Sequence, residues 1–206
     1  MINNYLERQI KENFPYQPTV EQENTLKMLS QFLCSREKDI AFLLRGYAGT
    51  GKTSLIGALV RTLDKLEQKV VLLAPTGRAA KVFSAYAGHP AFTIHKKIYR
   101  QKVFSNETDN FVANQNLHRN TLFIVDEASM IANEGLSGGH FGSGRLLDDL
   151  VQYVYNGLGC RLMLIGDTAQ LPPIGEEESP ALSVAALQGY GLEVTECVLT
   201  KVVRQT

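Results

Sequence analysis

The sequence predicts an α/β fold, a mostly parallel sheet covered by helices on both faces with a small inserted β-hairpin. Short apolar runs rich in β-branched residues recur along the chain. Segments with helical apolar spacing alternate with them, and a glycine-rich loop joins the first such run to the helix that follows. The 206 residues, 44% hydrophobic and 20% charged, suit one well-cored domain, and with only 7 prolines they exclude disordered, collagen-like and low-complexity classes. No apolar run approaches the ~20 residues that span a bilayer, and residues 1–4 open a polar segment without a signal peptide's apolar core. A cytoplasmic location and no membrane partner are therefore expected.

The first element in chain order is a helix from about Thr19. There Thr19-Val20-Glu21-Gln22 has the form of a capping box, and Leu26, Leu29, Phe32 and Leu33 follow at helical spacing. Residues 40–44, 70–74, 121–125, 161–165 and 194–199 read as buried strands. Leu55, Ile56, Leu59, Val60 and Leu63 mark a helix after the first strand. Leu146, Leu147, Leu150, Val151 and Val154 mark another before the fourth. Residues 100–118 interrupt the alternation: Val103-Phe104 and Phe111-Val112 flank a polar run, the pattern of an inserted hairpin in which the two phenylalanines face one another. Residues 133–144 carry five glycines and are expected to form a mobile loop. Cys34, Cys160 and Cys197 are odd in number, lack CxxC spacing and sit beside apolar residues, which predicts buried free thiols rather than disulfides or a zinc site.

Net charge is zero, but its distribution is uneven. Residues 68–106 contain no Asp or Glu, while Lys69, Arg78, Lys81, Lys96, Lys97, Arg100 and Lys102 fall within them. Two readings stay open: a surface facing a polyanion, or an ordinary solvated face.

Gly46-Tyr47-Ala48-Gly49-Thr50-Gly51-Lys52-Thr53, followed by Ser54, fits the phosphate-binding loop GxxxxGK[ST], after a predicted strand and before a predicted helix. Glycines let successive backbone N–H groups turn toward phosphate oxygens. Lys52 neutralises phosphate charge and the Thr53 hydroxyl ligates Mg2+. The strand 121–125 ends in Asp126-Glu127, an arrangement in which the first acid serves Mg2+ and the second orients and deprotonates water. The strand 161–165 runs into Gly166-Asp167-Thr168-Ala169-Gln170-Leu171-Pro172-Pro173 and puts Gln170 near the phosphates.

Taken in order, these motifs resemble those of superfamily 1B helicases, the RecD- and Dda-like branch. Asp126 to Met130 (DEASM) is similar to motif II, 166–173 to motif III, and 73–80 (LAPTGRAA) to motif Ia. Thr93-Ile94-His95 resembles the next DNA-side motif, Gln22 the adenine-reading glutamine, and 199–205 the start of motif IV. The resemblance spans residues 17–206 and implies a RecA-like P-loop NTPase domain that binds ATP and Mg2+ and moves 5′ to 3′ on single-stranded DNA. Lys52, Glu127, Gln170 and Arg204 are then catalytic; Gln22, Gly46, Ala48, Gly49, Thr50, Gly51, Lys52, Thr53 and Ser54 hold nucleotide; Thr53 and Asp126 hold the metal; Pro75, Thr76, Arg78, Thr93, His95 and Lys96 meet DNA. Motifs V and VI have no counterpart before Thr206. The chain is therefore expected to be the first motor domain, hydrolysing weakly alone, with a second RecA-like domain and helicase–nuclease subunits as partners and the 100–118 hairpin as a pin at the duplex fork.

Plainer readings stand beside these. Gln22 is equally explained as the capping-box partner of Thr19, His95 as a satisfied residue at a helix start, Arg78 and Lys81 as a solvated helix face, and Phe104 and Phe111 as packing partners. The rival functions are a non-motor module that binds ATP or DNA to regulate a partner, and a P-loop ATPase acting on protein substrates.

Overall fold

Alternating side chains of the central strands enter two separate apolar layers, and this period-2 division is what commits the sheet to helices on both faces. The computed structural model describes residues 2–101, 111–133, 141–175 and 178–203. In chain order the helices are α1 (Ile2–Glu12), α2 (Val20–Cys34), α3 (Lys52–Lys65), α4 (Gly77–Ala87), α5 (Ile94–Ile98), α6 (Leu146–Tyr155) and α7 (Val184–Gln188). The strands are β1 (Ile40–Gly46), β2 (Lys69–Ala74), β3 (Ala91–Thr93), β4 (Tyr99–Gln101), β5 (Phe111–Ala113), β6 (Thr121–Val125), β7 (Arg161–Gly166) and β8 (Glu193–Leu199). Six of them form one sheet in the order β3-β2-β6-β7-β1-β8, and every pairing in it is parallel.

Phe42 and Leu44 of β1, Ile124 of β6 and Ile165 of β7 join Leu26 and Leu29 of α2, Leu55 and Leu59 of α3 and Phe83 of α4 in one layer. The intervening Ala41, Leu43, Val125 and Leu164 join Ile98 of α5, Leu147 and Leu150 of α6 and Leu187 of α7 in the other. Each fully buried leucine or phenylalanine here contributes about 1.5–3 kcal/mol relative to exposure.

Three features differ from the sequence reading. The sheet has a sixth strand, β3, only three residues long, paired on one side with β2 and too short to show a pattern of its own. The polar opening of the chain is the helix α1, which buries Leu6 and Ile10. It is followed by Asn13, whose Nδ2 donates to Thr62 Oγ1 of α3 at 3.0 Å. The glycine-rich stretch 133–144, expected to be mobile, is anchored at its carboxyl end: Phe141 bridges Phe111, and the N–H of Gly142 donates to the Phe111 carbonyl at 2.9 Å. Residues 134–140 of that stretch lie outside the described residues.

Within 100–118, β4 and β5 form an antiparallel ladder with Tyr99 opposite Ala113 and Gln101 opposite Phe111. The Phe111 ring stacks on Phe141 at 4.4 Å, and Phe104 lies outside the described residues. Phe141 also touches the rings of His95 and Tyr99, so this ladder is fastened to the domain by an aromatic cluster. Cys34, Cys160 and Cys197 are free thiols, the last two buried. No helix among the described residues is long and apolar enough to cross a membrane.

Ile10 is fully buried, so Ile10→Ala is expected to cost about 2–4 kcal/mol in urea denaturation, the usual loss for emptying such a site. A change below about 0.5 kcal/mol, the range of surface substitutions, would show that α1 is not part of the core.

Candidate nucleotide-binding site

Because all six strands run the same way, their carboxyl ends share one rim, where open α/β sheets bind ligands. The loop after β1, the acids after β6 and the turn after β7 meet there around a cleft of about 630 Å³. Lys52 and Thr53, Asp126 and Glu127, and Gln170 all line it.

The loop needs its glycines for two different reasons. Gly49 and Gly51 have φ of +78° and +85°, and a side chain on Gly51 would collide with the Gln22 amide. Gly46 lies so close to the end of β8 that a Cβ would stand 2.8 Å from the Leu199 carbonyl oxygen. Lys52 Nζ donates to the carbonyls of Gly46 at 2.6 Å and Tyr47 at 2.8 Å. Burial pushes its ammonium below the usual lysine range, and Asp167, Asp126 and Glu127 oppose that shift. The Thr50 hydroxyl donates to the Tyr47 carbonyl at 2.8 Å, and the loop carbonyl of Gly49 accepts from Val203 N–H at 2.8 Å.

Gln22 is buried and engaged at both ends of its amide. Its Oε1 accepts from Thr19 N–H at 2.9 Å, completing the capping box with Thr19 Oγ1, and its Nε2 donates to the Thr50 carbonyl at 3.1 Å. The structural reading of Gln22 is thus fully satisfied, and the same residue also lines the cleft.

Asp126 is held at three points. Its backbone N–H donates to the Leu73 carbonyl at 3.0 Å. Its Oδ1 accepts from Glu127 N–H at 2.9 Å, and its Oδ2 accepts from the Tyr86 hydroxyl at 2.6 Å. Burial drives its carboxyl above the ordinary range, countered by those two donors. Among the described residues it forms no ion pair within 4 Å. A half-buried carboxylate that faces the cleft and has no direct ion-pair partner fits an Mg2+ role. No group of three or more His, Cys, Asp or Glu side chains that could hold a metal ion occurs among the described residues.

Glu127 sits in the left-handed backbone region at φ +55°, a cost that non-glycine residues bear at turns and functional sites. Gln170 Nε2 donates to Glu127 Oε2 at 2.9 Å, while its Oε1 accepts from the buried Ser129 hydroxyl. That pair of contacts fixes which way the Gln170 amide faces. Ser129 is held in turn, its carbonyl accepting from Ser179 Oγ at 2.8 Å.

The residues assigned to DNA lie on the same rim, after β2 and β3. Thr76 caps α4 by accepting from Ala79 N–H at 3.2 Å, and Thr93 caps α5 by accepting from Lys96 N–H at 3.2 Å. Thr76, Arg78 and Lys96 are exposed, and Pro75 is half-buried. His95 is half-buried against Tyr99 and Phe141, and burial lowers its pKa below the usual value. The acid-free stretch does not form one patch: Arg78 and Lys81 belong to α4 and Lys96 to α5 on this rim, whereas Lys69 begins β2 at the opposite one. Arg204 lies outside the described residues.

Sequence reasoning missed Tyr86, Ser129 and the pre-helical Phe14, Tyr16 and Gln17, which line one wall of the cleft. Ser129 stands inside the DEASM motif, which was a signal. Tyr86 carries none, since it is one more apolar-spaced position of a helix.

The AAA domain family profile matches residues 21–206. The chain is 31% identical over 144 residues to the ATP-dependent RecD2 DNA helicase of Deinococcus radiodurans, covering 69% of this chain and 17% of that protein. The crystal structure of Pif1 helicase from Candida albicans superposes with a TM-score of 0.56 at 20% identity, covering 92% of this chain and 41% of that one. The Pif1 helicase of Bacteroides, in complex with ADP-AlF3 and single-stranded DNA, gives 0.50 at 19% identity, covering 91% and 43%. At these identities the structures establish the shared fold. The chain spans about a third or less of the length of the curated relatives it matches first.

Because both ends of the Gln22 amide are used within the chain, Gln22→Ala is expected to lower nucleotide-free stability by about 1–3 kcal/mol through the lost acceptor for Thr19 N–H and the lost Thr50 tether. Chemical denaturation without nucleotide checks this. An unchanged midpoint would leave Gln22 with a ligand-binding role alone.

Proposed function

The chain belongs to the AAA domain family, among the RecD- and Pif1-like motor domains of superfamily 1B helicases, and from that premise we propose that it is the ATP-binding motor domain of a 5′–3′ DNA helicase. The observation that carries the reading is the junction at Gln170, whose one amide touches both Glu127 and Ser129 at the edge of the phosphate-loop cleft. A glutamine so held can report the state of the phosphate to the rest of the rim.

In this reading the cleft holds ATP, with Lys52 leaving the Gly46 and Tyr47 carbonyls for phosphate oxygens. The exchange is favourable because an anion replaces neutral acceptors around a half-buried ammonium. Thr53 and Asp126 would hold Mg2+, which when bound neutralises phosphate charge. Glu127, with one oxygen on Gln170, is the base that orients and deprotonates the attacking water. Phe14, Tyr16 and Gln17 offer an apolar and amide wall for the base. Single-stranded DNA lies over Pro75, Thr76, Arg78, Thr93, His95 and Lys96, contacts dominated by backbone and charge and so independent of base sequence. A second RecA-like domain completes the site with an arginine, and Arg204 and the pin at 100–118 belong to the same assembly. Helicase–nuclease subunits are the partners the family suggests.

Lys52→Ala in the full-length protein is expected to abolish ADP binding by titration calorimetry. Glu127→Gln is expected to keep binding and slow single-turnover hydrolysis by about 10²–10⁴. Unchanged hydrolysis in Glu127→Gln removes the base assignment. A wild-type protein that binds ATP and DNA without hydrolysis would favour the regulatory module.

A further inference from the structure

The segment from Leu73 to Tyr86 contains the exposed DNA-side residues Thr76 and Arg78 in its first half, and both of its ends bond to one residue. Leu73 accepts the Asp126 backbone N–H at 3.0 Å, and the Tyr86 hydroxyl donates to Asp126 Oδ2 at 2.6 Å. The Tyr86 ring is stacked on the fully buried Phe83 at 5.1 Å and 28°. Its carbonyl lies beside Gly57 of α3, the helix that begins at Lys52, where an added Cβ would stand 3.3 Å from that oxygen. The ring is thus fixed by packing, while the hydroxyl is the part that orients the carboxylate.

Resting on the motor-domain reading, we propose that Tyr86 is a positioning residue: its hydroxyl ties the DNA-side helix α4 to Asp126, so that strand binding at the start of α4 sets the carboxylate for the Mg2+–nucleotide. Asp126 Oδ1 is already committed to its neighbour's backbone N–H, so the angle of the carboxylate plane is decided by the donor on Oδ2. A displacement of α4 along its axis moves that donor directly, because the helix is a rigid rod and its last turn carries Tyr86. The coupling must be reciprocal: whatever strand binding does for Mg2+–nucleotide affinity, Mg2+–nucleotide does for strand affinity.

The test uses Tyr86→Phe, which keeps the stack on Phe83 and removes only the hydroxyl, in the full-length protein. Mg2+ is titrated into protein and a fluorescent ADP analogue, with and without an oligo-dT strand. The wild type is expected to show a lower Mg2+ midpoint when oligo-dT is present. Tyr86→Phe is expected to raise the midpoint roughly tenfold, the usual scale for losing a hydrogen bond to a charged group, and to erase its dependence on oligo-dT. Strand affinity measured without nucleotide should not change. Tyr86→Leu, which loses ring and hydroxyl together, should show the same loss of dependence if it keeps its fold. A Tyr86→Phe protein that retains the oligo-dT shift, whatever its midpoint, overturns the proposal. A wild type that binds neither the ADP analogue nor oligo-dT overturns the motor-domain reading itself and takes this proposal with it.

Discussion

The parallel pairing of β6 between β2 and β7 is the constraint on which the site depends. It brings Asp126 level with the Leu73 carbonyl on one side, and on the other it pairs Val125 with Leu164, which sets the turn carrying Gln170 beside Glu127. The buried strand faces enforce this register, since Phe123 and Val125 serve one core layer while Leu122 and Ile124 serve the other, and a slip of one residue would exchange them.

The charged groups of the site stand against their own solvation. Burial weakens the case for a proton on Lys52 and for a charge on Asp126, and each is kept in place by donors or acceptors from the chain itself. Lys52 rests on two carbonyls, Asp126 on a hydroxyl and an N–H, Gln170 between an acid and a serine. The arrangement is a set of partners that phosphate and Mg2+ are suited to replace, and it is bought at the cost of a left-handed Glu127.

The sheet and the phosphate loop were legible because their signals are local. Mostly apolar strand runs of five or six residues, and glycines at fixed spacing before Lys52, need no knowledge of the rest of the chain. β3 was not legible, since three residues cannot display a period and its pairing with β2 is a tertiary fact. α1 was hidden by its polar composition, having only Leu6 and Ile10 to bury. The carboxyl end of the glycine-rich stretch is ordered by a neighbour distant in sequence, Phe111 against Phe141. Tyr86 lies 40 residues from Asp126, and nothing in its surroundings along the chain announces that contact. The capping-box reading of Gln22 was visible in four residues, whereas its tether to Thr50 was not.

The central claim is that nucleotide binds at the carboxyl rim of the sheet and nowhere else. A larger groove of about 1150 Å³ lies at the amino ends of the strands, lined by Cys34, Lys38, Asn120 and Gly159 among others, with no phosphate-binding loop. Backbone amide chemical-shift changes on adding Mg2+ and ADP separate the two directly. The account predicts the largest changes at residues 47–54, 126–127 and 166–170, with the amides of Lys38, Asn120 and Gly159 unmoved. Saturable changes centred on those last three, with Gly49, Gly51 and Lys52 unaffected, would contradict it.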